Sequence, residues 1–211
     1  MIGRGLSGGG LPAAAGRALG GELAALGSAL GQSTVQVHCP GRGGHGSGVI
    51  WSRDGLIITN AHVAREQKPD IRLRGGEWLR GRVVRVDPRR DLAAVVIEGR
   101  DLPAVVVGDP CALRPGELVV ALGAPWGIEG ALTVGVLHAV EDGWRPGMPQ
   151  VVCADVRLAP GNSGGPLADV RGRVIGINAM IVRGLGIAVS TRAVVEFLGE
   201  LAAVRGDVRV A

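Results

Sequence analysis

Gly161-Asn162-Ser163-Gly164-Gly165-Pro166-Leu167 sets a serine among small residues, where its hydroxyl stays accessible and the backbone can turn tightly around it. Glycine at 161 leaves a backbone N–H open to an incoming carbonyl oxygen. The N–H groups of Gly161 and Ser163, with Asn162 between them, are the candidate oxyanion hole. One such donor is typically worth about 3–4 kcal/mol of transition-state stabilisation. Taken alone, the stretch also reads as an ordinary Gly-rich turn, so the rest of the chain has to decide.

Two architectures compete for this serine. Gly161-x-Ser163-x-Gly165 fits the strand–turn–helix elbow of α/β-hydrolases, which needs a helix after the serine and a histidine later in the chain. Here Pro166 follows closely, and Val174-Ile175-Gly176-Ile177 reads as a strand. All 4 histidines (His38, His45, His62 and His138) precede Ser163. The elbow is excluded, and the order that remains is His, then Asp, then Ser. His62 follows the apolar run Leu56-Ile57-Ile58, where a base can be presented at a strand end. Imidazole titrates close enough to neutrality to serve as one. Asp91 opens Asp91-Leu92-Ala93-Ala94-Val95-Val96-Ile97 and is placed to hold the other side of the imidazole. Each of the two reads as a structural strand-end residue by itself; their joint order with Ser163 carries the assignment.

Composition narrows the class. The chain has 211 residues, 46% hydrophobic and 20% charged, an ordinary globular balance. With no Tyr and only Phe197 among the phenylalanines, Val, Ile and Leu must supply the core. Net charge is +4, with Lys68 the only lysine. The densest basic stretch, Arg80 to Arg90, is interleaved with Gly, Val and Asp and has no stacking aromatics, so it reads as a solvated strand face and not a nucleic-acid site. Cys39, Cys111 and Cys153 are far apart and read as buried thiols without a disulfide. A zinc site from His38, Cys39 and His45 is disfavoured, because adjacent strand residues point to opposite faces. No metal or cofactor is expected. No apolar run reaches membrane-span length. Arg17 and Glu22 break any signal-like run in residues 1–32, and a cytoplasmic location is expected.

Residues 1–12 read as Gly-rich and flexible. Within 13–30, Leu19, Leu23, Leu26 and Leu30 share one helical face, which needs the protein's own body or a partner subunit to pack on. From Thr34 the pattern changes to short strands: 34–38, 47–52, 55–59, 70–74, 79–87, 92–97, 104–107, 118–122, 131–141, 150–156, 173–181 and 185–189. A last helix, capped by Ser190 or Thr191, carries an apolar stripe of Val194, Val195, Leu198 and Leu201.

These motifs in register resemble the protease domain of HtrA/Deg-type serine proteases, of the chymotrypsin-like fold. The matching residues are Gly46-Ser47-Gly48-Val49-Ile50, Thr59-Asn60-Ala61-His62-Val63, Asp91-Leu92-Ala93, Ala121-Leu122-Gly123-Ala124-Pro125-Trp126-Gly127, Thr133-Val134-Gly135, Pro160 to Leu167, and Gly184 to Ser190. The resemblance covers roughly residues 34–200. It implies an all-β protein of two six-stranded antiparallel β-barrels, 33–103 and 104–190, after an N-terminal segment 1–32 and before a C-terminal helix 191–206. The triad His62, Asp91 and Ser163 would lie in the cleft between the barrels. Substrates would be unfolded or misfolded proteins, because a peptide must be extended to pair with the cleft edge. Asn178, Ala179, Met180 and Ile181 would offer that edge.

The chain also departs from the family pattern. It leaves no room for a C-terminal PDZ domain and lacks the N-terminal aromatics that help relatives form trimers, so homotrimer and monomer both stay open. Asn162 stands where trypsin-type zymogens use an aspartate to bind a new N-terminus. Control is therefore expected from ordering of Gly123 to Gly130 and not from cleavage. Arg157 falls, by alignment on Ser163, at the floor of the primary specificity pocket. It would bind a substrate Glu or Asp there, or else turn to solvent or pair with Asp155 or Asp169, leaving a small apolar pocket lined by Leu158 and Ala179. The alternatives to an endopeptidase are a chaperone-like binding protein and an esterase.

Overall fold

The computed structural model describes residues 13–42, 44–124, 127, 130–143 and 148–205. The Gly-rich start and positions 125, 126, 128 and 129 of the expected control loop lie outside them. After helix α1 (Ala13–Gln32) come β1 (Thr34–Cys39), β2 (Gly44–Ile50), β3 (Leu56–Thr59), β4 (Asp70–Arg72), β5 (Trp78–Arg80), β6 (Arg82–Asp87) and β7 (Leu92–Val96). They form one sheet of order β5-β4-β1-β2-β3-β7-β6. The second sheet holds β8 (Val106–Val107), β9 (Leu118–Gly123), β10 (Ala131–Glu141), β11 (Val151–Ala154), β12 (Pro166–Asp169), β13 (Arg173–Val182) and β14 (Leu185–Ser190). Helix α2 (Thr191–Arg205) closes the chain.

The two sheets close differently. In the second, β12-β9-β10-β11-β14-β13 is a ring of 6 strands, sealed by the β12–β13 pairing, with β8 added in parallel on β13. The first is an open, 7-stranded half-barrel whose edge strands, β5 and β6, are consecutive in the chain with only Gly81 between them. The expected single strand 79–87 is thus broken. Its first part pairs with β4 and its second with β7. Gly81 is where the chain crosses, because a Cβ there would lie 2.7 Å from Val95 and 3.0 Å from Ile71. The chain thus passes from one edge of the open sheet to the other at Gly81, with no ladder joining the two edges among the described residues.

Alternating aliphatic side chains fill each half, as the near-absence of aromatics requires. Val35, Val37, Ile50, Ile57, Ile71 and Val95 pack inside the first, and Val119, Leu137, Val152, Leu167 and Ile175 inside the second. Helix α2 is capped by the Ser190 hydroxyl, which accepts the Ala193 N–H at 3.2 Å. Its buried stripe is Ala193, Val194, Phe197, Leu198 and Leu201; Val195, expected inside, is 49% exposed. Positions 194, 197, 198 and 201 follow the i, i+3, i+4, i+7 spacing of one helical face, on which Val195 does not fall, and Phe197 takes its place. Phe197 packs among Val49, Ile58 and Leu92 of the first sheet and Ile177, Ala179 and Val189 of the second. This shared cluster spans the seam. On the far side, Leu23, Leu26 and Leu30 of α1 lie against Val120, Leu122 and Val174, so this helix packs on its own body.

Strand β12 was missing from the expected set. Pro166 and the glycines before it read as turn, and proline survives at a strand's first residue because its missing N–H is not needed there. Cys39 and Cys153 are buried, as expected, but Cys111 is exposed on a 3-10 turn at Pro110–Ala112. Among the described residues no helix is long and apolar enough to cross a membrane, and no group of three His, Cys, Asp or Glu gathers for a metal.

Candidate active site

Ser163 is held by main chain. Ala159 to Asn162 make a β-turn, with the Asn162 N–H on the Ala159 carbonyl at 2.9 Å. Pro160 fills the second place and Gly161 the third at φ +106, the residue choice of a type II turn. Beyond it, the Gly165 N–H donates to Asn162 at 3.0 Å, and the Gly164 N–H donates to Asn178 at 2.8 Å. The N–H groups of Gly161 and Ser163 have no partner among the described residues. Asn162, expected beside them as a third member, has its N–H spent on the turn, so two candidate donors remain.

His62 and Asp91 sit on turns just beyond β3 and just before β7. The Asp91 carboxylate receives His62 Nδ1 at 2.8 Å and the His62 backbone N–H at 3.0 Å. That contact puts the ring proton on Nδ1 and leaves Nε2 as the acceptor. Asp91 pays for this reach with a left-handed backbone, φ +53, a conformation Asp tolerates better than most side chains. Asn60, fully buried, steadies it by donating Nδ2 to the Asp91 carbonyl at 3.0 Å. The turn before Asp91 is anchored in its turn. Arg90 pairs with Asp87 at 2.8 Å and with Glu200 of α2 at 2.7 Å, and Arg85 also pairs with Glu200. Burial alone would raise the Asp87 carboxyl; the Arg90 N–H, the Arg90 guanidinium and the Arg89 N–H outweigh it and hold the group below the usual aspartate range.

Gly46 measures how close the two halves come. A Cβ there would lie 2.8 Å from the side chain of Val63, next to His62, and 2.9 Å from the Ser163 carbonyl oxygen. The Ser163 hydroxyl itself donates to the Ala179 carbonyl at 3.1 Å. That carbonyl is aimed by a bulge, because β13 shifts register against β14 between Asn178 and Met180. Beyond the bulge, Met180, Ile181 and Val182 pair only with β14 among the described residues, so the other side of the strand is a free edge. Met180 and Ile181 are 46% and 54% exposed along it.

The remaining expected site residues divide. Ala179 is buried beside Ser163 and Leu158 is half-buried. Asn178 is not a substrate contact: it is fully buried, and its Nδ2 is spent on the Pro166 and Leu122 carbonyls at 3.0 and 3.3 Å. A polar residue in a barrel interior has to bond to backbone, and here it ties β13 to β9 and β12. Arg157 is exposed, as in the reading that turns it to solvent. Asp169, one of its possible partners, pairs with Arg173 at 2.6 Å instead. Sequence reasoning gave Ser47 and Thr59 no role. Both are fully buried, and the Thr59 hydroxyl donates to the Ser47 carbonyl at 2.7 Å. The signal for Thr59 was a hydroxyl ending an otherwise apolar strand, and for Ser47 a hydroxyl between two glycines beside Val49-Ile50.

The fold and this site define a trypsin-like serine hydrolase architecture, and the family model "Trypsin-like peptidase domain" matches residues 46–177. The chain belongs to that family. Its relatives include the protein named "Probable periplasmic serine endoprotease DegP-like" of Pseudomonas putida, 40% identical over 142 residues, 64% of this chain and 29% of that protein. Serine protease HTR4 of Rattus norvegicus is 37% identical over 163 residues, 74% of this chain and 33% of that protein. The chain thus spans about a third of the length of these relatives. A solved structure of the HtrA-type protease AlgW with a decapeptide matches at a TM-score of 0.77 and 26% identity, over 86% of this chain and 67% of that one. A second AlgW structure, with a tripeptide, matches at 0.79 and 29% identity, over 85% of this chain and 63% of that one.

Proposed function

We propose that the chain is an HtrA/Deg-type serine endopeptidase that cleaves extended segments of unfolded proteins through an acyl-enzyme. The observation that carries this is the pairing of the His62–Asp91 contact, 2.8 Å, with a serine turn whose Gly161 and Ser163 N–H groups are free of backbone partners. In this mechanism the Ser163 hydroxyl leaves Ala179 and gives its proton to His62 Nε2 as its oxygen attacks the scissile carbonyl. Asp91 stabilises the imidazolium. The developing oxyanion is received by Gly161 and Ser163. His62 then protonates the leaving amine, and water repeats the sequence to release the acyl group.

The free edge of β13 supports the choice of extended substrates. An added strand would pair with Met180 to Val182 by main-chain hydrogen bonds, which suits any sequence that is unfolded. That two AlgW structures carry a decapeptide and a tripeptide supports peptides as the substrate class. With Arg157 outside, the residue before the cleaved bond meets Leu158 and Ala179, so small aliphatic side chains are preferred. The test is cleavage of a denatured protein mixture together with fluorophosphonate labelling. Label on Ser163 and cuts after Ala, Val or Leu are expected; a chain that binds unfolded protein without labelling or cutting it would be a chaperone-like binder instead.

A further inference from the structure

We infer that Ser47, on β2, is a positioning residue that fixes both oxyanion donors from the opposite half of the molecule and ties them to the segment after β9. The inference deepens the endopeptidase reading above. Ser47 is fully buried, where a hydroxyl without partners would be costly. Its Oγ donates to the Gly161 carbonyl at 2.7 Å. Its own backbone N–H donates to the Ser163 carbonyl at 2.8 Å.

These two contacts have one effect. The peptide unit after Gly161 is gripped at both ends, its carbonyl by Ser47 Oγ and its N–H by Ala159. The unit after Ser163 is gripped likewise, its carbonyl by the Ser47 N–H and its N–H by Asn178. With the following units pinned, the free N–H groups of Gly161 and Ser163 are left with fixed directions. Gly161 needs this most, because a glycine at φ +106 sits in a region with easy alternatives.

The third contact sets the hydroxyl's direction. The Ala124 N–H donates to Ser47 Oγ at 3.0 Å. A hydroxyl has one proton to give. With the Ala124 N–H occupying a lone pair, that proton is directed at Gly161. Ala124 directly follows β9, so displacing its N–H from Ser47 Oγ loosens the Gly161 carbonyl.

The test compares wild type with Ser47→Ala and Ser47→Cys as full chains. Measured are kcat and KM on a fluorogenic peptide, and inhibition by a peptide boronate and by the same peptide as a carboxamide. Ser47→Ala is expected to lose kcat about 10- to 100-fold, less than deleting an oxyanion donor outright, with KM within about twofold. Boronate affinity should fall by a matching factor while carboxamide affinity holds. Ser47→Cys, a weaker donor of similar size, should fall between, and it carries the test if Ser47→Ala does not fold. Unchanged kcat, or equal losses for boronate and carboxamide, would overturn the inference, because a merely structural role does not distinguish the two inhibitors. Without any substrate, the Gly161 and Ser163 amide resonances should shift or split in Ser47→Ala; unmoved resonances also overturn it. That readout stands even if wild type cleaves no peptide, which would defeat the endopeptidase reading alone.

Discussion

The serine turn of the second barrel is fixed mainly by backbone, with Ser47 Oγ of the half-barrel the one side chain on its carbonyls among the described residues; the half-barrel fixes its histidine and aspartate with side chains. Around Ser163 the carbonyls of Ala159, Asn162, Ser163 and Gly165 all accept main-chain N–H groups. Around His62 and Asp91 the work falls to Asn60 Nδ2, the Asp91 carboxylate and the Arg90–Asp87–Glu200 pairs. A site held mostly by main chain depends on a few positions that must be glycine and, here, on the hydroxyl of Ser47. A site held by side chains depends on the identity of each one. The closed ring can supply the first kind of support, while a sheet with open ends must borrow the second from its turns and from α2.

The sharpest test of that contrast takes Ser163 from the second barrel and His62 and Asp91 from the half-barrel. Ser163→Ala and His62→Ala should each lower kcat by on the order of 10^6-fold, because the groups act as a unit, and Asp91→Ala by on the order of 10^4-fold. Steady-state hydrolysis by the three variants reads this, and a His62→Ala enzyme within tenfold of wild type would separate the halves functionally. Next in size is the seam. Phe197→Ala removes the largest fully buried side chain of the cluster that both sheets share and should cost about 3–5 kcal/mol in urea unfolding. A far smaller loss would mean that each half is stable by itself.

Smaller effects probe how the half-barrel closes. Gly81→Ala forces a methyl against Val95 and Ile71 and should cost about 1–3 kcal/mol, with no change in KM for the folded fraction. If the variant melts like wild type, the crossing at Gly81 is not the constraint described. The mildest effect is on pH dependence. Because the folded state holds the Asp87 carboxyl below its unfolded range, its contribution is complete above that range and fades as pH falls through the folded value. Asp87→Asn should therefore flatten the acid limb of a stability–pH curve and lower stability near neutrality. Parallel curves for the two proteins would show that Asp87 does not drive the limb.

Much of this was legible because strand runs and the order of three chemical residues are local or sequential properties. The runs at 34–38, 92–97 and 131–141 match strands, and His62, Asp91 and Ser163 fall on three turns of the two sheets. What was hidden depends on three-dimensional neighbours. Asn178 looks like a cleft residue until the carbonyls of Leu122 and Pro166 are seen beside it. Val195 and Phe197 lie on opposite faces of a helix whose register is set by the Ser190 cap. Arg157 could be placed only by counting back from Ser163, and a count does not say which way a side chain turns. Ser47 was visible as part of Gly46-Ser47-Gly48, but its partners lie 77 and 114 residues further along.

The free edge of β13 has a consequence for solubility. An unpaired, apolar strand edge is a template for any extended chain, including a second copy of the same protein. The edge is kept short, from Met180 to Val182, and it ends at Arg183, a charged residue in a left-handed turn at φ +52. Charge and curvature at a strand's end are ordinary defences against edge-to-edge aggregation. The length of this edge is thus a compromise between offering one extended chain a place to pair and offering a growing aggregate a place to start.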